Sequence, residues 1–176
     1  MGSIMKYIRV LISSAFFLVC CKGSVKESYP EISTQLSFPE TLELKLNKYS
    51  LPFGGLDSKY KILISYDSLM CGTCSVKRLT MWNDVLKYAE DHSDSLSVVF
   101  LFSPKESEKE SVSELLDTDP VSYPAFLDVN NDFYRLNSLP KGIFTCLLDN
   151  DNNVLLVGHA SSDELLNDYN KVLNFD

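Results

Sequence analysis

An α/β domain with a central mixed sheet flanked by helices is predicted by three features. Two apolar, β-branched runs stand at residues 60–66 and 96–102, an amphipathic helical stretch lies between them, and a strand–turn–strand–helix pattern closes the chain. The length of 176 residues with 45% hydrophobic and 23% charged side chains suits one compact domain and does not suit a disordered chain. Seven Gly and seven Pro exclude a collagen-like or linker protein, and five Cys are too few for a small disulfide-stapled scaffold. With a formal net charge of −8, most of the surface would repel a phosphate backbone, so nucleic acid is not an expected partner.

The N-terminal segment reads as an export signal. Lys6 and Arg9 stand beside the apolar residues 10–19, and no acidic residue precedes Glu27. A spanning helix needs about 20 apolar residues, and this shorter run is followed at once by Lys22, Gly23 and Ser24. The run ends Leu18-Val19-Cys20-Cys21, which resembles the lipobox of bacterial lipoproteins. Cys21 is the better acceptor, since it places Leu18 three residues earlier and the small Cys20 at the cut. A simple secretory signal and an uncleaved anchor are the alternatives. The expected organisation is a signal peptide at 1–20, a Ser-containing tether at 21–39 interrupted by Pro30 and Pro39, and a domain at 40–176. Loss of Lys6 and Arg9 with the signal leaves the chain still more acidic, so acyl chains rather than charge would hold it to a membrane.

Along the domain, Leu42, Leu44 and Leu46 alternate with Glu43 and Lys45 as a strand would. Residues 60–66 form a buried central strand. Val76, Leu79, Trp82, Val85 or Leu86, and Ala89 then recur at helical spacing, with Lys77, Asp84, Lys87 and Asp91 opposite. A second strand is expected at 96–102. A charged helix follows at 105–116, with apolar positions Val112, Leu115 and Leu116; its acidic run 106–110 fits a solvated face. A short strand is expected at 124–129 and an irregular or short helical piece at 131–139. Residues 143–148 and 154–157 form a hairpin around the polar turn 149–153. Ser161 and Glu164 suggest a capping box, and Leu165, Leu166, Tyr169, Val172 and Leu173 form the stripe of a closing helix.

If Cys20 leaves with the signal and Cys21 carries lipid, Cys71, Cys74 and Cys146 remain, and two of them form Cys71-Gly72-Thr73-Cys74. In oxidising surroundings such a pair can cycle between dithiol and disulfide. Cys146, in an apolar strand, reads as a small buried hydrophobe. A zinc site from Cys71, Cys74, Cys146 and His159 needs four ligands meeting in space, and neither His has a ligand-like neighbour. The run 149–153 lacks the Gly and the bidentate acid of a calcium loop, with Val154 and Ala160 at those positions. No metal and no cofactor are expected.

A strand, a CxxC at a helix start, further βα units, a hairpin and a last helix resemble the order of the thioredoxin fold. Residues 42–46 resemble the N-terminal addition of the TlpA/ResA-type, membrane-tethered members, and residues 144–149 and 153–158 are similar to their last two strands. The resemblance implies an envelope thiol-disulfide oxidoreductase, lipid-anchored on the periplasmic side of the inner membrane or on the outer membrane. It would exchange disulfides with protein thiols through Cys71 and Cys74. A helix N-terminus stabilises a thiolate, so Cys71 would attack and Cys74, one turn on and more buried, would resolve. The direction of exchange and the oligomeric state stay open. Three departures point the other way, to a non-catalytic lipoprotein binding a protein or peptide. Met70 stands where the family has Trp. Ser65 and Lys77 stand where it has acids, with Asp67 close in sequence. Ile143 stands where a cis-proline faces the dithiol, with Pro140 three residues early.

Overall fold

The computed structural model describes residues 35–45, 57–118, 125–158 and 162–173. The export signal, Cys20, Cys21, Pro30, His159 and Ser161 lie outside them.

Among the described residues, six strands form one sheet in the order β1-β4-β3-β2-β5-β6. At its centre β2 (Tyr60–Tyr66) and β3 (Leu96–Phe102) run parallel, paired from Tyr60 with Leu96 to Tyr66 with Phe102. Both are covered on both faces, which is why their sequences are almost continuously apolar. Parallel neighbours need a crossover. Here it is built from α1 (Gly72–Lys77), a 3₁₀ turn (Leu79–Trp82) and α2 (Asn83–Asp91). A second crossover, a 3₁₀ turn (Glu106–Glu108) and α3 (Lys109–Thr118), leads to β4 (Ala125–Leu127), again parallel to β3. After α4 (Asp132–Asn137), β5 (Ile143–Asp149) returns antiparallel to β2, and β6 (Val154–Val157) pairs with β5 as the expected hairpin. The last helix is α5 (Ser162–Leu173), and β1 (Glu43–Lys45) pairs antiparallel with β4 at the far edge.

The pleat of β2 divides the core. Ile62, Ile64 and Tyr66 pack with Trp82, Val85 and Tyr169 on one face, whereas Leu63 packs with Phe133, Phe144 and Cys146 on the other. The single helix expected after the CxxC is interrupted at Arg78, whose φ of −103° and ψ of 10° end α1. Val76, Leu79, Trp82, Val85 and Ala89 are all buried nonetheless. Their spacing therefore reported which face meets the core, and a 3₁₀ turn satisfies that demand as well as an α-turn does.

Two local devices set the loops around the site. The buried Asp128 carboxylate accepts the Asp132 and Phe133 N–H groups, each at 2.9 Å, and the Ser103 hydroxyl at 3.0 Å, so it caps α4 from four residues away. In the β5–β6 turn, Asp149 accepts the Asp151 and Asn153 N–H groups at 2.9 and 2.8 Å, while Asn152 takes the left-handed φ of 65°. Partial burial alone would raise the Asp149 carboxyl, but hydrogen bonds from Asn153 and Asp151 and the charge of Lys61 outweigh it. The group lies below its ordinary value.

Residues 35–38, assigned to the tether from sequence, lie against the domain. Gln35 bridges to Asn153, the Leu36 N–H donates to the Asn152 carbonyl at 2.9 Å, and Leu36 is buried. The Ser37 amide and carbonyl both bond the Asn137 side chain, and the Phe38 ring sits 5.1 Å from that of Phe133. Packing against the domain thus begins ahead of the boundary expected at residue 40. No helix among the described residues is long and apolar enough to cross a membrane.

Candidate active site

β2 ends at Tyr66 and the chain turns through residues 67–70. The Met70 N–H donates to the Asp67 carbonyl at 3.1 Å, and the Leu69 N–H donates to the buried Asp67 carboxylate at 2.9 Å. The Asp67 N–H in turn donates to the Gly142 carbonyl at 3.2 Å, which ties this turn to the residue just before β5. The turn delivers Cys71 in an extended conformation as the N-cap of α1, with its sulfur accepting the Cys74 N–H at 3.3 Å. Cys71 and Cys74 form a disulfide, with Cα atoms 5.2 Å apart.

Both cysteines are exposed, which corrects the expectation that Cys74 is the more buried. The inward positions of α1 are Gly72, Ser75 and Val76. At 100° per residue these leave the face carrying the disulfide toward solvent. Beside the disulfide is an open cleft of about 350 Å³, bordered by Tyr66, Met70, Arg78, Met81 and Ile143. Its rim is mainly apolar, with one cation. Lys77, which stands where the family has an acid, is exposed and does not border the cleft.

Two departures from the family pattern acquire a physical description. Ile143, not Pro140, borders the cleft, and the peptide bonds of the described residues contain no cis form. Ser65, at the position of the family's buried acid, donates to the Phe144 carbonyl at 3.1 Å and accepts from the Tyr134 hydroxyl at 3.0 Å. The same Tyr134 hydroxyl lies 3.2 Å from the Gly142 carbonyl. Burial pushes that hydroxyl far up despite the Ser65 bond, so this pair exchanges no proton near neutrality. It holds residues 142–144 in place instead. Tyr66, between the disulfide and the core, accepts the Trp82 indole N–H at 2.7 Å and stacks on Phe102 with ring centroids 5.0 Å apart. Burial pushes its hydroxyl up to about 12 in spite of the Trp82 hydrogen bond, so it too stays neutral at pH 7.

Sequence reasoning missed one residue. Glu108, read as part of a solvated acidic face, is only partly exposed, and its carboxylate accepts the Gly72 N–H at 3.3 Å. The contact exists because α3 lies tightly on α1. A Cβ on Gly72 would stand 2.7 Å from Val112 Cγ2 and 3.3 Å from Pro104 Cβ. Nothing in the sequence joins two residues so far apart. The only local sign is that Glu108 precedes the buried Val112 by one helical turn and so shares its face.

Cys146 does not join the disulfide. It lies in the middle of β5, fully buried on the other face of the sheet, and burial pushes its thiol well above the ordinary value.

No family model matches the sequence, and no curated protein does. Solved structures do resemble the chain. The thioredoxin domain of a thiol-disulfide oxidoreductase from Bacteroides vulgatus is 15% identical with a TM-score of 0.51, covering 68% of this chain and 82% of that one. The exposed lipoprotein thioredoxin of Streptococcus pneumoniae is 16% identical with a TM-score of 0.48, covering 66% and 87%. The first of these likenesses shows the fold to be thioredoxin-like.

Proposed function

We propose that the chain is a thiol-disulfide oxidoreductase of the bacterial cell envelope, of the TlpA/ResA type. It would be carried by a lipid on Cys21 after removal of residues 1–20, and would work through Cys71 and Cys74. The observation that carries this reading is the solvent-exposed Cys71–Cys74 bond at the lip of an apolar cleft in a thioredoxin-like fold. A structural disulfide gains nothing from such exposure, whereas exchange requires in-line access to a sulfur.

A client thiolate attacks Cys71 Sγ. A client–Cys71 bond forms as the Cys71–Cys74 bond breaks, and Cys74 leaves as a thiolate that takes up a proton. The client's second thiolate then attacks the client sulfur of the mixed disulfide and releases Cys71 as a thiolate. The client loses two electrons, the protein pair gains them, and no cofactor takes part. The reverse sequence reduces a client disulfide. The Cys74 amide, already pointed at Cys71 Sγ, is placed to stabilise the released thiolate, and Arg78 adds positive charge at the cleft. Met70, Met81 and Ile143 offer an apolar rim to the client segment around its cysteine.

Two measurements test the reading. After mild reduction, iodoacetamide should label Cys71 well below pH 8. The Cys71–Cys74 potential against glutathione should lie between about −120 and −270 mV, and a value below about −300 mV would mark a structural bond in a binding module. The anchor has its own check: Cys21→Ser should release the protein from membranes, and retention would refute acylation there.

A further inference from the structure

We infer that Glu108 is a positioning residue for the dithiol: its carboxylate, bound to the amide of Gly72, opposes negative charge on Cys71 and so biases the pair toward the disulfide. This rests on the oxidoreductase reading and adds to it the acid that neither Ser65 nor Lys77 supplies.

The geometry is specific. Gly72 directly follows Cys71, and its N–H donates to Glu108 Oε2 at 3.3 Å. That amide would otherwise present an uncompensated positive end one residue from Cys71, and the carboxylate offsets it. The Glu108 backbone is pinned by its own N–H bond to the Lys105 carbonyl at 2.9 Å. The neighbouring Lys109 is paired with Glu106, so that cation is engaged elsewhere. The close approach of Val112 and Pro104 to Gly72 fixes the distance between α3 and the CxxC. A carboxylate held in a partly desolvated contact is screened less than one on an open helix face.

The sign follows from the charge states. The disulfide is neutral, whereas the dithiol carries negative charge on Cys71 whenever that sulfur is ionised. A fixed anion held on the amide of the next residue therefore destabilises the reduced form and leaves the oxidised form almost untouched. Arg78, on the cleft side, acts in the opposite sense. Reduction by glutathione converts two glutathione thiols to one glutathione disulfide while the Cys71–Cys74 bond takes up two electrons. One proton goes to Cys74, and one is shared between Cys71 and the buffer.

The test compares purified full-length wild type, Glu108→Gln and Glu108→Ala at pH 7. Gln keeps an acceptor for the Gly72 amide and removes only the charge. It should shift the equilibrium with glutathione three- to tenfold toward the dithiol, which corresponds to a potential higher by about 15–30 mV, with an unchanged thermal midpoint. Ala should shift the equilibrium in the same direction and also lower the midpoint. A Gln variant with the wild-type potential, in a protein whose Cys71 is alkylated at pH 7, overturns the role of Glu108 and leaves the oxidoreductase reading standing. So does a shift toward the disulfide. A wild-type Cys71 that resists alkylation overturns both.

Discussion

The start of α1 and the middle of β5 use the same residue for opposite ends. Cys71 caps a six-residue helix and Cys74 lies in its first turn, both exposed, beside backbone amides and one cation. Cys146 lies in a seven-residue strand among Leu63, Phe133 and Phe144, where no water reaches it and burial keeps the thiol protonated. The thiolate is the reacting species, so these settings decide chemistry more than the residue type does. A strand with both faces covered converts a cysteine into packing volume, and a helix start just beyond the end of a central strand leaves it available.

The sharpest way to break this comparison is to exchange the sulfur for oxygen at each site. Cys71→Ser should lower turnover of a disulfide peptide by about a thousandfold or more. Cys146→Ser should leave turnover nearly unchanged but cost about 1–3 kcal/mol in denaturant unfolding, from a hydroxyl placed in an apolar core. Equal losses of turnover in the two variants would undo the distinction. A smaller effect probes what holds the exposed site. Gly72→Ala should destabilise the protein by about 1–3 kcal/mol, because the new methyl meets Val112 at 2.7 Å and α3 must shift. Its urea midpoint, set beside that of Thr73→Ala, separates the contact from a general effect in the motif.

The smallest effect lies in the β5–β6 turn, far from both sulfurs. The Asp149 carboxyl titrates lower in the folded chain than in the unfolded one, where its value is about 3.9. Its contribution is therefore fully present above that pH and is lost as pH falls through the folded value. Asp149→Asn should flatten the dependence of the urea midpoint on pH below about 4 and cost about 0.5 kcal/mol at pH 7. Turnover should not change.

Much of the framework was legible because its causes are local. The runs 60–66 and 96–102 coincide with β2 and β3 residue for residue, since strands covered on both faces are apolar at nearly every position. The hairpin followed from two such runs around an Asp/Asn turn. The candidate cysteines were legible from their spacing. Their relative exposure was not, because it depends on which side of α1 meets α3. The packing of residues 35–38 escaped notice for a similar reason: a Ser- and Pro-containing stretch looks like tether until Leu36 finds its place beside the β5–β6 turn.

By itself the sequence determined the order of the elements, the strands that form the centre of the sheet and the pair of sulfurs that could react, all consequences of periodicity and short spacing. Only the tertiary structure decided that Ile143 borders the cleft, that Ser65 and Tyr134 hold the loop behind it, and that Glu108 reaches the amide between the cysteines. Each of those contacts joins segments distant in the chain. Their geometry is set by how closely helices and strands pack, a quantity that no local pattern of residues encodes.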